Sequence, residues 1–452
     1  MSIQDYADKK VAVIGFGITG KACIDFFTKA KAKVCLFVTD IYQVQLKVSE
    51  YSVLKEVQLQ EFNTTSEFDE FHTVVVSPGV DTNHPALKKA MALDIELISD
   101  IELFARHNQS PVIGITGSNG KSSVIDMLYQ GLSSLGIKVG IGGNFGVSAV
   151  KLLDGQYDII LLELSSFQLE LTYSLHLQIA SILNITEDHI DRHGNLEAYA
   201  EVKQRIYNNA DKIIVNRDDP LTIPVNKSVV YASFGRSEVS SELDSFQDEE
   251  GISVGGKLIF NAYQLNAISD HGRLNLQVVL LCGFAFLDEE ERTAFADALL
   301  LYKGLPHRFE LVKTYQNQSN KTVRCINDSK ATNPGATLAA LETIGDDEHL
   351  ILIAGGDSKG SDLTELAKAI ETKVDSLLCI GQDADKFLAL LPNAKLFDQL
   401  DDAVEAAIRE AAGSPSDVCI LLSPACSSID MFENYQHRGE CFTQSIKQRS
   451  AR

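Results

Sequence analysis

The chain has 452 residues and a formal net charge of −22, so it is too long for one ordinary hydrophobic core and too acidic to favour a nucleic-acid or membrane-surface partner. A hydrophobic fraction of 45% is typical of a well-packed globular protein, and the length favours about three domains. The first ten residues hold no apolar targeting segment, and no apolar run is long enough to span a bilayer, which predicts a cytoplasmic protein without membrane insertion. Eight cysteines without a C-x-x-C pair predict reduced, mostly buried thiols.

The N-terminal segment has the pattern of a βαβ unit. An apolar strand at residues 11–14 leads into the sequence GFGITG at residues 15–20 and then into a helix, which is a turn that holds a diphosphate at a helix N-terminus. A second strand at residues 34–38 precedes Asp40, where a ribose-binding acid would lie, and a later strand ends in a loop that contains Gly79. Taken alone, this segment suggests an NAD-dependent dehydrogenase, although the same turn holds any diphosphate.

The strongest motif of the chain lies at residues 111–125. A short apolar strand leads into a turn of sequence TGSNGKSS and then into a helix with apolar spacing. Gly117 and Gly120 would let backbone N–H groups converge on phosphate oxygens, and Lys121 would reach the β- and γ-phosphates. The hydroxyl of one of the two serines after the lysine would bind Mg²⁺. The position six before the lysine is isoleucine where the strict pattern has glycine, but both flanks favour an ATP or GTP site over an incidental lysine.

Two further strands end in residues that could bind a metal. An apolar strand at residues 158–162 ends in Glu163, about 40 residues after the lysine of the turn, where a Mg²⁺ ligand belongs in phosphate-loop enzymes. A strand at residues 179–183 is followed by His189 and His193, which are four residues apart and could form a zinc site. Because no third ligand follows at metal spacing, we favour His189 as a single Mg²⁺ or substrate contact and His193 as a structural residue.

The last third of the chain predicts another α/β sheet. Strands alternate with helical patterns and end in polar loops, where ligands of such sheets bind; the strands lie at residues 324–327, 350–354, 376–380 and 418–422, and the loops at 327–333, 355–360 and 423–428. The sequence thus predicts an α/β protein of three domains. They are an N-terminal Rossmann-like domain at residues 1–99, a central domain with a parallel sheet like that of phosphate-loop ATPases at 100–304, and a C-terminal Rossmann-like domain at 305–452.

Together these blocks resemble the Mur ligases of peptidoglycan synthesis, a family of ATP-dependent amide-forming enzymes. The blocks follow the family's order over nearly the whole chain: TGSNGKS at 116–122, ELSSFQ at 163–168, residues 184–191, HRFE at 307–310, residues 327–333 and SPACSSIDMFENYQHRG at 423–439. The phosphate loop and the last block are most similar to those of the member that adds D-glutamate. The resemblance implies a monomeric carbon–nitrogen ligase that uses ATP to join D-glutamate to UDP-N-acetylmuramoyl-L-alanine through an acyl phosphate, with UDP-, ATP- and amino-acid-binding domains in that order.

The resemblance also implies roles for individual residues. Nucleotide contacts are implied for the phosphate loop and two residues of the last domain, which are Gly117, Ser118, Asn119, Gly120, Lys121, Ser122, Ser123, Arg308 and Asp328. Substrate contacts are implied for Ile18, Thr19 and Gly79 at the uridine diphosphate, Asn144 and Gln168 at the sugar-peptide, Thr332, Lys359, Ser428 and Tyr435 at the carboxylates of the amino acid, and Lys330.

Catalysis is implied to depend on Lys121, Glu163, His189 and Lys203. From the residues alone, Lys203 reads as a solvated helix lysine. The resemblance instead implies a carbamylated Lys203 and two Mg²⁺ ions, with metal-linked residues Ser122, Glu163, His189 and Lys203.

Two positions depart from the family pattern. Asn275 is followed three residues later by Val278, where the family often has a second asparagine at the adenine. The second strand runs into FVTDIY at residues 37–42, where the family usually has Asp-Ser-Arg or Asp-Thr-Arg, so no arginine is assigned to uracil.

Three rival functions explain less of the chain. A dehydrogenase leaves Lys121 and Glu163 unexplained. A GTPase would need an Asn-Lys-x-Asp block at a strand end, and the sequence has none. A non-enzymatic scaffold would leave three polar strand-edge clusters without a role.

Overall fold

The computed structural model describes residues 2–47, 50–225, 230–239, 241, 243–265, 268, 270–345 and 347–449. The chain forms two compact units. Unit 1 contains Met1–Ile185, Glu197–Leu265 and Leu274–Leu301, and unit 2 contains Thr186–Leu196, Asn266–Arg273 and Tyr302–Arg452. None of the helices in the described ranges is long and apolar enough to cross a membrane.

Strands and helices alternate along most of the described chain. The strands are β1 Lys10–Ile14, β2 Lys33–Val38, β3 Gln58–Glu61, β4 Thr73–Val76, β5 Leu97–Ile98, β6 Val112–Thr116, β7 Val139–Gly143, β8 Ile159–Glu163, β9 Leu177–Ile182, β10 Ala210–Asn216, β11 Val230–Phe234, β12 Ser245–Gln247, β13 Gly251–Val254, β14 Lys257–Asn261, β15 Glu310–Gln316, β16 Thr322–Asn327, β17 His349–Gly355, β18 Ser376–Ile380, β19 Lys395–Leu396 and β20 Val418–Leu422. The α-helices are α1 Ile18–Lys29, α2 Ile41–Gln45, α3 Pro85–Ala92, α4 Asp100–Ala105, α5 Lys121–Ser134, α6 Ala149–Leu152, α7 Ser166–Glu170, α8 Ile190–His193, α9 Leu196–Gln204, α10 Asp270–Phe286, α11 Glu289–Leu299, α12 Pro334–Glu342, α13 Thr364–Lys373, α14 Ala384–Leu388, α15 Leu400–Ala412 and α16 Tyr435–Arg449.

Unit 1 contains two parallel sheets and one small antiparallel sheet. The N-terminal sheet has the order β3-β2-β1-β4-β5, and the central sheet has the order β11-β10-β9-β6-β8-β7. Residues of β1, β4, β6 and β8 are almost all buried, as expected for parallel strands covered by helices on both faces. The strands β12, β13 and β14 form the small antiparallel sheet.

Unit 2 contains one mixed sheet of order β15-β16-β20-β17-β18-β19. Its core lies on both faces, because alternate residues of β17 enter different clusters: Leu352 and Ala354 pack on one side, and Ile351 and Ile353 on the other. The edge strand β15 runs antiparallel to β16 and was not predicted. Its burial alternates between exposed and half-buried residues, so its sequence lacks the apolar run that marks the inner strands.

The predicted α/β class is confirmed, and each strand predicted above is present with ends that differ by at most two residues. All eight cysteines are free thiols, and all but the half-buried Cys441 are buried. The three-domain boundaries remain a prediction.

Candidate active site

The turn between β6 and α5 has the backbone of a phosphate loop. Gly117 and Gly120 have φ angles of +147° and +85°, which side chains other than glycine rarely adopt. A Cβ at Gly117 would also lie only 3.1 Å from the Cβ of Leu183. Helix α5 begins at Lys121, so the N–H groups of its first turn and its positive dipole end face the loop. Such a geometry is suited to an anion.

Asn184, directly after β9, braces that loop with three hydrogen bonds. Its carbonyl accepts from Ser118 N at 2.9 Å, its Oδ1 accepts from Asn119 N at 2.9 Å, and its Nδ2 donates to Asn119 O at 3.2 Å. Sequence reasoning gave Asn184 no role of its own. The available signal was its position as the first polar residue after a buried strand.

Lys121 folds back over the loop. Its Nζ donates to Gly117 O at 2.7 Å and to Ser118 O at 2.8 Å. The ammonium group therefore lies against the two carbonyls that border the anion site. Ser123, another predicted nucleotide contact, follows Ser122 on α5 and is half-buried.

Ser122, Glu163 and Asn144 form a connected polar group at the ends of α5, β8 and β7. Ser122 Oγ donates to Glu163 Oε2 at 2.5 Å, and Asn144 Nδ2 donates to Glu163 Oε1 at 2.7 Å. Glu163 is only 2% exposed. A hydroxyl beside a buried carboxylate is the kind of oxygen pair that Mg²⁺ prefers, so these residues fit that ion.

Lys203 is buried, which corrects its reading as a solvated lysine. It is 1% exposed, and its Nζ donates to Thr116 Oγ1 at 3.2 Å and to Gly117 O at 3.0 Å. The same Nζ lies 4.6 Å from the ring centroid of Tyr199, one helical turn away on α9. Lys203 and Lys121 thus donate to the same carbonyl of the phosphate loop.

The N-terminal sheet presents a second turn with an anion-binding backbone. Gly15 has a φ of +96°, and Ile18 and Thr19 begin helix α1, with Ile18 80% exposed. The loop that holds Gly79 follows β4, the neighbour of β1, and a Cβ at Gly79 would meet nothing within 4 Å. Since β1 lies between β2 and β4, the two loops meet where the strand order reverses, which is where open α/β sheets bind ligands.

Gln168 and Asp40 are both engaged as helix caps. Gln168 closes a capping box with Ser165, and its Nε2 donates to Asp100 Oδ1 at 3.3 Å. Burial raises the pKa of Asp100 to about 6. Asp40 caps α2 by accepting from Gln43 N at 3.0 Å.

Asn275 and Val278, the pair at which the helix departs from the two asparagines of the family, differ in their surroundings. Asn275 Oδ1 lies 2.5 Å from the place that a Cβ on Gly120 would occupy, so this asparagine borders the phosphate loop. Val278 is fully buried and belongs to the core.

In unit 2, three polar loops follow the neighbouring strands β16, β20 and β17. Asp328 begins the first loop: its Oδ1 accepts from Phe309 N at 3.1 Å and its Oδ2 from Ser423 Oγ at 2.8 Å. Burial raises the pKa of Asp328 to about 7, although these hydrogen bonds and the charge of Arg308 act in the opposite direction. The charge of Arg308 therefore acts on Asp328, and the contacts of both residues with the nucleotide remain a prediction.

The candidate amino-acid contacts lie on those loops and on α16. Lys330 Nζ is 4.5 Å from the ring centroid of Tyr435. Lys359 has a φ of +50°, and its Nζ lies 3.9 Å from Asp188 Oδ1. Ser428 is buried, whereas Thr332 is half-buried.

His189 also belongs to unit 2 and lies beside Asp188. Its Nε2 is 3.7 Å from Asp188 Oδ2, which also accepts from Asn333 Nδ2 at 3.3 Å. His193 N donates to His189 O at 3.0 Å, so the two histidines are linked by a helical turn. Throughout the described ranges, no group of three or more His, Cys, Asp or Glu side chains could hold a metal ion.

Family models match most of the chain. They are a Mur ligase MurD-like N-terminal domain at residues 9–99, a Mur ligase middle domain at 115–282 and a Mur ligase glutamate ligase domain at 307–426. The UDP-N-acetylmuramoylalanine--D-glutamate ligase of Escherichia coli (strain K12) is 38% identical, with 99% of this chain and 100% of the relative covered. The enzyme of the same name from Yersinia pseudotuberculosis is 40% identical, with 97% and 98% covered.

A solved structure has the same fold. MurF ligase from Thermotoga maritima, in complex with ADP, is 16% identical and aligns with a TM-score of 0.57 over 99% of this chain and 97% of its own.

Proposed function

The chain belongs to the Mur ligase family, and we propose that it joins D-glutamate to UDP-N-acetylmuramoyl-L-alanine with ATP as the phosphate donor. The observation that carries this proposal is the full-length identity to ligases of that name, at 38–40%. The ADP in the MurF structure supports ATP as the nucleotide at the corresponding fold. We also propose that the enzyme is monomeric and works in the cytoplasm.

The chemistry requires activation of a carboxylate. Carboxylate oxygen is a poor leaving group, so the γ-phosphoryl group of ATP is transferred to the carboxylate of the L-alanyl group, which gives an acyl phosphate and ADP. The amine of D-glutamate then attacks the acyl carbon, the C–O bond to phosphate breaks, and inorganic phosphate leaves. Because two anions meet in the first step, neutralisation of charge dominates its catalysis.

In that step the phosphate loop binds the phosphates. The N–H groups at the start of α5 would hold the phosphate oxygens, while Lys121 would leave the carbonyls of Gly117 and Ser118 for the β- and γ-phosphates. Its present contacts place the ammonium group at the border of the proposed site.

Ser122 and Glu163 are the residues that would hold Mg²⁺. The ion would neutralise charge on the phosphates and orient them. Asn144 Nδ2 holds Glu163 Oε1, which leaves the orientation of that carboxylate fixed beside the Ser122 hydroxyl. Asn144 thus orients the candidate metal ligand Glu163, in addition to its proposed contact with the sugar-peptide.

We propose that Lys203 is carbamylated. The ammonium groups of Lys121 and Lys203 both donate to the carbonyl of Gly117. This arrangement is unfavourable because like charges repel strongly in a buried setting. The ammonium group first loses a proton to give the neutral amine. Attack of this amine on CO₂ forms an N–C bond and releases a second proton, so Lys203 changes from a cation into a carbamate anion. That anion would hold a second Mg²⁺.

Unit 2 supplies the groups for the amino acid. Lys359, Thr332, Ser428, Tyr435 and Lys330 would bind its carboxylates through charge and hydroxyl groups. The attacking amine must be neutral, so a group must accept its proton. His189 beside Asp188 is suited to accept a proton or to contact a metal, and these roles predict different effects on the pH profile of kcat.

The deciding experiment is ADP release by the purified protein. With ATP, Mg²⁺ and UDP-N-acetylmuramoyl-L-alanine, we expect turnover only when D-glutamate is added, and the product should gain the mass of one glutamyl group. Replacement of ATP by GTP should abolish most of the turnover. ADP release that does not depend on both substrates would show that the proposed reaction is wrong.

A further inference from the structure

Arg438 is the largest fully buried side chain among the described residues. It lies near the start of α16 and is 1% exposed. Arginine is almost never buried to this degree unless it is paired with an acid. The mechanism above gives Arg438 no role, so its burial needs its own explanation.

The guanidinium group of Arg438 donates only to uncharged oxygens. Its Nε donates to Ser329 Oγ at 3.0 Å and its Nη2 to Ser329 O at 2.8 Å. Its Nη1 donates to Cys426 O at 3.1 Å and to Ser427 O at 3.4 Å. Burial lowers the pKa of Arg438 to about 10, so the group still carries its charge at neutral pH. The guanidinium group is therefore held by neutral oxygens, while the charges of Asp430 and Asp328 act on it without a hydrogen bond.

These bonds tie two of the polar loops together. Ser329 lies in the loop after β16, between Asp328 and the candidate contact Lys330, while Cys426 and Ser427 lie in the loop after β20, directly before the candidate contact Ser428. The planar fork of the guanidinium fixes the direction of each bond, which an ammonium group could not do. Both loops thus share one rigid support.

The third loop is attached to the same support. Ser427 and Asp357 exchange backbone hydrogen bonds, with Asp357 N donating to Ser427 O at 3.1 Å and Ser427 N donating to Asp357 O at 2.8 Å. Asp357 Oδ1 in turn accepts from the backbone N of Lys359 at 2.9 Å. The chain of contacts from Arg438 therefore reaches the lysine proposed for the amino-acid carboxylate.

We propose that Arg438 is a positioning residue that aligns the three amino-acid-binding loops. This inference rests on the proposed function. The guanidinium fork joins the loops after β16 and β20, and the Ser427–Asp357 pair joins the loop after β17, so loss of the fork should displace the candidate contacts on all three loops together.

The test is a steady-state comparison of Arg438→Lys with the wild-type enzyme, with each of the three substrates varied in turn. We expect the KM for D-glutamate to rise by at least about tenfold, which is the effect of losing about 1.4 kcal/mol of binding free energy. The KM values for ATP and UDP-N-acetylmuramoyl-L-alanine, and kcat at saturation, should change by less than about twofold. A matched control is Arg324→Lys, since Arg324 lies on β16 of the same sheet and is bidentate to Glu348. Its KM for D-glutamate should stay at the wild-type value.

A milder variant keeps the test valid if Arg438→Lys does not fold. Ser329→Ala removes one acceptor from Nε while the carbonyl of Ser329 remains, so we expect the KM for D-glutamate to rise about threefold with a thermal midpoint close to that of the wild type. An unchanged KM in this variant, or equal increases in all three KM values in Arg438→Lys, would overturn the positioning role. If the wild-type enzyme itself releases no ADP with D-glutamate, the proposed function fails instead, so the two failures are distinguishable.

Discussion

The phosphate loop of unit 1 and the amino-acid loops of unit 2 offer different chemical groups to the anions proposed to bind there. The phosphate loop is one continuous turn of backbone N–H groups, opened by two glycines and closed by a helix N-terminus. The amino-acid loops come from three separate strand ends, and side chains such as Lys359 and Ser428 line them. The first site depends mainly on the conformation of one turn, which the distant Asn184 braces through Asn119. The second depends on buried contacts between segments more than 90 residues apart, such as Ser329 and Arg438. The following variants test this contrast.

The largest effect is expected for Lys121→Ala. The variant keeps the backbone of the loop but removes the cation that would neutralise the transferred phosphate, so we expect kcat to fall by about 10³-fold. ADP release measures this, and the thermal midpoint should stay close to that of the wild type because the loop glycines and Asn184 remain. Lys138→Ala is the control, as Lys138 is an exposed lysine of the same unit. Near-normal turnover in Lys121→Ala would remove this lysine from the mechanism.

The next effect is expected for Lys203→Ala. Loss of the proposed carbamate should lower kcat by about 100-fold, and millimolar acetate or formate should restore part of it by supplying a carboxylate in the space left by the side chain. Lys212→Ala serves as control, because Lys212 is a half-buried lysine that donates to the carbonyl of Ala285. Full activity in Lys203→Ala, or a loss that no carboxylate restores and that follows a fall in thermal midpoint, would contradict the carbamate. Intact mass spectrometry under CO₂ gives a second readout.

A smaller effect is expected for Asn184→Ala. This change removes the two side-chain hydrogen bonds to Asn119 and leaves the backbone bond from Ser118, so the loop should lose part of its preorganisation. We expect the KM for ATP to rise about tenfold while kcat changes less. Asn209→Ala, which removes an exposed bond to the carbonyl of Tyr173, is the control. An unchanged KM for ATP would show that the glycines alone hold the loop.

The same contrast explains what the sequence could predict. The phosphate loop and Glu163 lie within or directly after single strand–turn–helix patterns, so their chemistry follows from neighbours in the chain. Lys203 was read wrongly because one lysine in a polar helix is usually solvated. Its spacing did hold a signal: Tyr199, Ala200, Lys203, Ile206 and Tyr207 are all buried, and they recur at helical spacing on one face.

The contacts within unit 2 could not be predicted for a different reason. Residues 186–196 belong to unit 2 although the segments on both sides of them belong to unit 1, and nothing in their pattern marks this change. The pairing of Asp188 with Lys359 and Asn333 therefore becomes visible only in three dimensions. The same holds for Arg438, whose partners lie 109 and 12 residues away.

The smallest expected effect concerns the pH dependence of stability in unit 2. The pKa of Asp328 is raised from 3.8 to about 7 by burial, so the folded state binds a proton that the unfolded state releases. Its contribution to stability is complete below about pH 4 and is lost as the pH rises through 7. Asp328→Asn keeps an acceptor for Phe309 N and cannot ionise, so its thermal midpoint should exceed that of the wild type by a margin that grows from pH 5 to pH 8. We expect that growth to correspond to on the order of 2 kcal/mol, measured as the difference between variant and wild type so that other titrating groups cancel. A margin that is independent of pH would show that Asp328 is ionised throughout, in which case its carboxylate is held by the charge of Arg308 more strongly than burial opposes it.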